Sequence, residues 1–253
     1  MDLQPVDYDR QQHQAYARGR SMDEDVRGAW MAAFAAHLPR RRPLAVLDLG
    51  SGIGRLTPTL AATFGGPVTG VEPAAAMRAQ AEAAATHPHV RYLAGQAEAI
   101  PMPAASVDAV LMFLSFHHVR DRPTAAAEIA RVLRRGGRVL LRSTFGDRLP
   151  AGGWHRFFPR ADEIERAMFP TVAEVEAVFA DVGFRRVALD QVAERHAPSL
   201  AAHARKLRLR AISTFEHMTE AQIAEGFAAL DAAVAAEVEP RPSVTLSDLL
   251  VLG

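Results

Sequence analysis

The sequence predicts an α/β protein, a mostly parallel sheet covered by helices on both faces. Three observations lead there. From residue 44 onward, short apolar and β-branched runs alternate with alanine-rich amphipathic stretches, the rhythm of strands joined by crossover helices. The run Val107–Leu114 is apolar at nearly every position, as a strand buried on both faces must be. The first run ends in VLDLGSGIGR, Val46 to Arg55, a strand passing through a glycine-rich turn into a helix.

Residues 1–43 read as a helical arm. Val26, Trp30, Ala33, Phe34 and Leu38 recur at three- and four-residue spacing and give it one apolar face, which Pro39 and Pro43 bring to an end. Next come a strand at Leu44–Leu49, a helix at Leu56–Phe64, a strand at Pro67–Glu72, a helix at Ala74–Thr86 and a strand at Val90–Ala94. After Val107–Leu114, a helix over Arg122–Arg134 is ended by Gly136-Gly137, and Arg138–Ser143 is the next strand. A turn-rich segment precedes a helix near Asp162–Met168, and Thr171 with Glu174 three residues on reads as a capping box for another. Phe184–Ala193 and Val244–Leu252 are the last strands. Between them, residues 195–242 read as a helical insertion with helices at about Ser199–Arg210 and Thr219–Glu237, a cap on one domain spanning 44–253.

Composition narrows the function. Lysine plus arginine equal aspartate plus glutamate at 29 each, so the bulk attraction of a nucleic-acid or anionic-membrane binder is missing. No apolar run approaches the roughly 18 residues of a membrane span. No cysteine is present, which excludes disulfides, thiolate metal sites and a cysteine nucleophile. The charged first thirty residues lack a signal-peptide core, and a cytoplasmic location is expected. No His, Asp and Glu set has metal-ligand spacing, so the reaction is expected to need no metal.

A glycine turn of this kind brings backbone N–H groups close to a ligand, and several nucleotides use one. A dinucleotide pyrophosphate asks for G-x-G-x-x-G. Here Gly50, Gly52 and Gly54 are evenly spaced and Arg55-Leu56-Thr57 adds no further glycine. Asp48-Leu49-Gly50-Ser51-Gly52-Ile53-Gly54 instead resembles the first motif of class I S-adenosylmethionine-dependent methyltransferases, of the small-molecule type with a core like that of the menaquinone methyltransferases.

Further motifs extend that resemblance over residues 44–145. Glu72 closes the second strand, Gln96-Ala97-Glu98 stands where the family commonly has Asp-Ala-Glu, His117-His118-Val119 follows the fourth strand, and EIARVLRRGGRVLLR runs from Glu128 to Arg142. The resemblance implies a Rossmann-like seven-stranded sheet of order 3-2-1-4-5-7-6 with an antiparallel last strand. It implies S-adenosylmethionine as cofactor and S-adenosylhomocysteine as product. Gly50, Ser51, Gly52 and Gly54 would lie against the methionyl and ribose portion, with Asp48 toward the ammonium. Glu72 would take the ribose hydroxyls, an assignment a dehydrogenase would share. Pro73, Met77 and Phe113 complete the pocket, and Gln96, Ala97 and Glu98 the adenine end, where the Gln96 amide oxygen replaces the usual acid. Tyr16 and Arg20 in the arm are lid candidates, or else a solvated surface.

Methyl transfer from a sulfonium is an in-line displacement, so alignment and exclusion of water matter more than any one group. The acceptor belongs beyond the carboxyl ends of the strands. His117 and His118 are the candidate bases, or helix-start residues that only pack. Leu114, Arg142, Trp154 and Phe158 are the acceptor-site candidates; Arg142 would clamp a carboxylate or phosphate, or pair with Asp147. Arg205, Lys206, Arg208 and Arg210 read as cations at a helix end. A small-molecule acceptor is expected, with no nucleic-acid or membrane partner, for a monomer or homodimer. A peptide- or protein-terminus methyltransferase and a cofactor-binding, non-catalytic subunit are the competing readings.

Overall fold

The computed structural model describes residues 22–150 and 153–253. Tyr16 and Arg20 lie outside the described residues. Seven strands form one sheet of order β3-β2-β1-β4-β5-β7-β6. They are β1 Leu44–Leu49, β2 Gly65–Glu72, β3 Val90–Ala94, β4 Val107–Phe113, β5 Leu133–Ser143, β6 Arg186–Ala197 and β7 Ser243–Leu252. β1 through β5 pair in parallel, whereas β7 runs antiparallel to both β5 and β6. This is the order and the antiparallel last strand that the resemblance implied.

Helices α1 Glu24–Ala36, α2 Thr57–Phe64, α3 Ala75–Ala84, α4 Arg122–Val132, α5 Pro159–Met168, α6 Val172–Ala180, α7 Leu200–Leu207 and α8 Glu220–Ala235 complete the chain, with 3-10 turns at Phe116–His118, His155–Phe157 and Ser213–His217. Local chemistry explains several starts. Thr171 and Glu174 bond each other's backbone in the capping box, and Thr219 with Gln222 does the same for α8. Ser199 accepts the Ala202 N–H to open α7.

All seven residues of β4 are buried, as expected of the central strand. On one sheet face a cluster includes Val110, Met112, Ile129, Val139 and Phe179; on the other, Trp30, Phe34, Leu60, Phe64 and Leu111. The apolar face of α1 supplies Val26, Trp30, Met31 and Phe34 to the second. A third cluster, with Trp154, Phe158, Ile164, Phe215, Phe227 and Leu230, belongs to the cap built from α5, α7 and α8.

Two boundaries differ from expectation in ways that shape the site. Helix α4 stops at Val132, and β5 starts at once with a bulge: Val107 pairs with Leu133, but Ala109 pairs with Arg138. The glycine pair therefore lies inside the strand's entry, Gly136 at φ 77°. Strand β6 continues four residues past Ala193, because Glu194, Arg195 and Ala197 pair with β7 at Thr245, Val244 and Ser243. Residues 195–197, expected in the helical insertion, are strand.

Candidate functional site

The site is built at the carboxyl edge of the sheet, starting from the turn after β1. Gly50, Gly52 and Gly54 all adopt positive φ, at 75°, 57° and 75°, where a side chain is strained. The amides of Gly50 and Ser51 donate to the Val71 carbonyl at 2.8 and 3.2 Å, tying the turn to β2. Each glycine has its own reason. A Cβ on Gly50 would stand 2.5 Å from Ser115 Cβ, and one on Gly54 would run into Tyr92 Oη and Ala85 Cβ. A Cβ on Gly52 would meet only Met77 Sδ, at 3.7 Å. Gly50 and Gly54 thus permit packing, while Gly52 leaves bare backbone at a cavity wall.

That cavity, of about 790 Å³, runs along the carboxyl edge from β3 to the cap, within the size range of small-molecule sites. One end is lined by Gly50, Gly52, Glu72, Pro73, Met77, Gln96, Ala97, Glu98 and Phe113. Here Glu72 is the organising group. Its Oε2 accepts the Gly52 N–H at 2.8 Å and its Oε1 accepts the Ala74 N–H at 3.0 Å, so one carboxylate holds the glycine turn and the entry to α3. Glu98 Oε1 accepts the amides of Arg120 and Asp121 at 3.1 and 3.2 Å, fixing the loop after β3 to the chain after β4.

Three residues assigned to the cofactor do not reach this wall. Asp48 is buried behind the turn, where its Oδ2 accepts the Thr57 hydroxyl at 2.7 Å. Burial pushes its carboxyl up to about 6, against the Thr57 hydrogen bond and the Arg55 charge, which pull it down. The Ser51 hydroxyl is turned toward Gly70, close enough that a Cβ there would stand 2.8 Å from it. Gly54 faces α3 and β3, not the cavity.

The tip of β4 forms the middle of the site. The Phe113 ring meets Trp30 of α1 edge-on at 5.2 Å, and the guanidinium carbons of Arg55 and Arg142 each lie 5.2 Å from its centroid. Leu114 then takes φ 56°, an uncommon conformation for a bulky residue, with its amide donating to the Arg142 carbonyl at 2.9 Å. This turn aims Ser115 at Gly50, where its hydroxyl donates to the Leu49 carbonyl at 2.8 Å. His117 and His118 follow with rings 3.9 Å apart; both line the cavity, and His117 also packs on Phe169 at 4.5 Å.

Arg142, the expected anion clamp, is instead committed to the protein. It donates to Glu194 Oε2 at 2.6 Å and Ser247 Oγ at 2.9 Å. Burial would raise Glu194, but the charges of Arg142 and His196 and the bonds from Arg142 and Ser247 prevail and hold it at about 2. Trp154 lines the cavity as expected. Phe158 does not: it is packed in the cap cluster, edge-on to Phe215 and Phe227 and directly over Gly226.

Several wall residues were missed. Glu165 Oε2 bonds His155 Nε2 at 2.8 Å while its Oε1 accepts the Thr214 hydroxyl at 2.8 Å. His203 Nδ1 is 2.8 Å from Ser243 Oγ, His196 Nε2 is 2.7 Å from Thr245 Oγ1, and the two rings stack at 5.7 Å. A signal existed for two of them. Glu165 shares the α5 stripe of Ala161, Ile164 and Met168, and His203 shares the α7 stripe of Leu200, Ala204 and Leu207, each a polar group on an apolar face. Of the expected basic set, Arg208 pairs with Asp231, Arg210 with Glu220 at 2.7 Å, and Lys206 donates to the His196 carbonyl at 3.1 Å.

Comparison with known proteins supplies the remaining observations. Residues 47–141 match the family described as methyltransferase domain. An uncharacterized methyltransferase of Mycobacterium tuberculosis is 42% identical over 143 residues, which cover 56% of this chain and 53% of that protein. The match thus spans about half the length of this relative. One from Bacillus licheniformis is 30% identical over 148 residues, covering 55% of this chain and 68% of that protein. Among solved structures, a methyltransferase from an antibiotic biosynthesis pathway of Anabaena variabilis superimposes with a TM-score of 0.74 at 22% identity, covering 93% of this chain and 98% of that one. Among the described residues no helix is long and apolar enough to cross a membrane.

Proposed function

Because this chain belongs to the class I S-adenosylmethionine-dependent methyltransferases, we propose that it transfers a methyl group from S-adenosylmethionine to a small-molecule acceptor by in-line displacement. One observation carries the reading: the bare glycine backbone with Glu72 and the cap-covered chamber are two ends of a single cavity. Donor and acceptor would therefore meet at the tip of β4.

The residues present fit the cofactor. Gly52 offers backbone with no side chain packed over it, Glu72 offers an acidic group beside it, and Val71, Met77, Ala97 and Phe113 offer apolar surface. Glu72 would hold the ribose hydroxyls, the Gln96–Ala97 segment the adenine, and the turn in front of Asp48 the methionyl end. When bound, S-adenosylmethionine supplies a methyl group already activated on a sulfonium. The chain's own work is then to fix the acceptor along the transfer axis and to keep water out. Phe113, Leu114, Trp154 and Phe169 supply the apolar walls for that, and His117 or His118 would take the proton from an acceptor that must lose one.

Titration calorimetry tests the donor site. S-adenosylhomocysteine should bind and NAD should not; binding of NAD alone would overturn the reading. Transfer is tested by following donor consumption over a panel of small acceptors, with His117→Ala and His118→Ala compared in single turnovers. A chain that binds S-adenosylhomocysteine yet never consumes the donor would be a non-catalytic subunit. Transfer to peptide termini in place of small acceptors would overturn the substrate class.

A further inference from the structure

The far end of the cavity is made by residues outside every methyl-donor motif. β5 ends its pairing with β7 at Ser143, opposite Asp248, whereas β6 and β7 continue together until Ala197 stands opposite Ser243. Residues 243–247 of β7 therefore overhang the sheet edge by roughly 16 Å, at about 3.3 Å per residue. α7 closes against this overhang, bringing His203 to Ser243 and into a stack with His196, whose own partner is Thr245. His196, His203, Thr245, Ser247, Ser213 and Thr214 all line the cavity.

The ionic side chains at this end are already answered by the protein. Arg142 faces Glu194 at 2.6 Å, and Glu165 is bonded on both oxygens by His155 and Thr214. Burial pushes the His203 imidazole down to about 4, with His196, Lys206 and Arg156 adding in the same direction, so His203 is neutral at physiological pH. Around these groups the wall is apolar, with Trp154, Met168, Phe169 and Ile212. A carboxylate or phosphate entering here would give up its water for cations that Glu194 already engages, and an ammonium would meet the charges of Arg142 and His196. A hydroxyl or carbonyl group would exchange water for the His203 imidazole and, where it can donate, for the lone-pair capacity that Thr245 and Ser247 keep beyond their own bonds to His196, Arg142 and Glu194, which a neutral polar group can do at little cost.

We infer that the chamber under the β6–β7 overhang recognises an uncharged hydroxyl or carbonyl group on an otherwise apolar methyl acceptor, with His203 as its specificity-determining residue. The inference rests on the methyltransferase reading above, and it deepens that reading by naming the chemical class of the acceptor. It separates this chain from enzymes that take amino acids or diphosphates, whose charges need unpaired counter-charges in the wall.

The experiment uses the full chain saturated with S-adenosylhomocysteine and four probes of one shape: 2-naphthol, naphthalene, 2-naphthoate and 2-naphthylmethylammonium. Affinities are read by ligand-observed NMR. 2-Naphthol should bind at least about tenfold more tightly than each of the others, a difference of about 1.4 kcal/mol. His203→Ala should bring 2-naphthol down to the level of naphthalene, and His203→Gln, which keeps a neutral hydrogen-bonding group, should retain most of the preference. Both variants should keep wild-type affinity for S-adenosylhomocysteine, which reports that they are folded. A charged probe binding as well as 2-naphthol would overturn the proposal. So would a preference unchanged in His203→Ala, or no binding of any probe to the loaded protein. Failure to bind S-adenosylhomocysteine at all would instead overturn the parent reading.

Discussion

Glu72 Oε2 accepts the Gly52 N–H at 2.8 Å, so the carboxylate that ends β2 holds the glycine turn that ends β1. Its other oxygen holds Ala74 at the start of α3. Hydrogen bonds to a charged acceptor contribute about 1.5–3 kcal/mol each. Glu72→Gln keeps one accepting oxygen but presents an NH2 group to the second amide, setting donor against donor. We expect the S-adenosylhomocysteine affinity of Glu72→Gln to fall about 10- to 100-fold, with a drop of several degrees in melting midpoint. Calorimetry and thermal denaturation read the two effects separately. Unchanged affinity would remove Glu72 from the donor site.

Gly50 meets two penalties at once. Its φ is 75°, and a Cβ would lie 2.5 Å from that of Ser115. Gly50→Ala should destabilise the fold by about 2–4 kcal/mol. Ser115→Gly removes the collision but leaves the backbone strain and gives up the Ser115–Leu49 hydrogen bond, so Gly50→Ala made in the Ser115→Gly background should cost roughly half of what it costs in the wild type. Urea denaturation of the two single variants and the double variant checks this, and an equal cost in both backgrounds would mean that Ser115 yields without cost.

The wall proposed for the donor is legible in the sequence because each of its pieces is a short run of neighbouring residues. A glycine turn, an acid at the end of the next strand and a short loop after the third can each be read locally, and Gly50, Gly52, Glu72, Gln96 and Ala97 do share one wall. Asp48 and Ser51 were read from the same motif yet point elsewhere, since spacing gives the turn and not the direction of each side chain. The acceptor half depends on contacts at long range. Arg142 meets Glu194 across 52 residues and Ser247 across 105, so its partner was not Asp147, the nearby acid. Phe158 sits in an aromatic segment like Trp154, but only the packing of α8 shows that Phe158 faces the cap core while Trp154 faces the cavity. The extension of β6 to Ala197, which places His196, depends on pairing with a strand almost fifty residues away.

Gly226 is a helix glycine kept by a neighbour and not by its backbone. In an open helix interior, alanine there would stabilise by about 0.5–1 kcal/mol. Here a Cβ would fall within contact radius of the Phe158 ring. Gly226→Ala should therefore cost about 1–3 kcal/mol, and the loss should be confined to the cap cluster of Trp154, Phe158, Phe215 and Phe227. We expect affinity for S-adenosylhomocysteine to stay unchanged while acceptor turnover falls. Hydrogen exchange should show faster opening of α8 than of β4. Equal acceleration in β4 would mean that cap and sheet unfold as one unit.

Asp48, buried behind the glycine turn, links stability to pH. Burial holds its carboxyl at about 6 in the folded protein, against a usual value of 3.8. Because the folded pKa is the higher one, the folded state binds the proton more tightly. The resulting stability is fully present below about 4, is lost as pH rises through about 6, and leaves a constant penalty on the order of 1–3 kcal/mol above that. Asp48→Asn keeps an oxygen to accept the Thr57 hydroxyl and has no charge to bury. It should match the wild type near pH 4 and exceed it by about 1–2 kcal/mol at pH 8, allowing for the buried NH2 that it adds. Asp48 lies behind the glycine turn and off the cavity wall, so S-adenosylhomocysteine affinity should stay within about threefold of wild type as stability rises. Urea denaturation at pH 4, 6 and 8, paired with calorimetry at pH 8, separates the two. A variant less stable than wild type at pH 8 would show that the ionised carboxylate is satisfied within the fold. In that case its charge serves the turn.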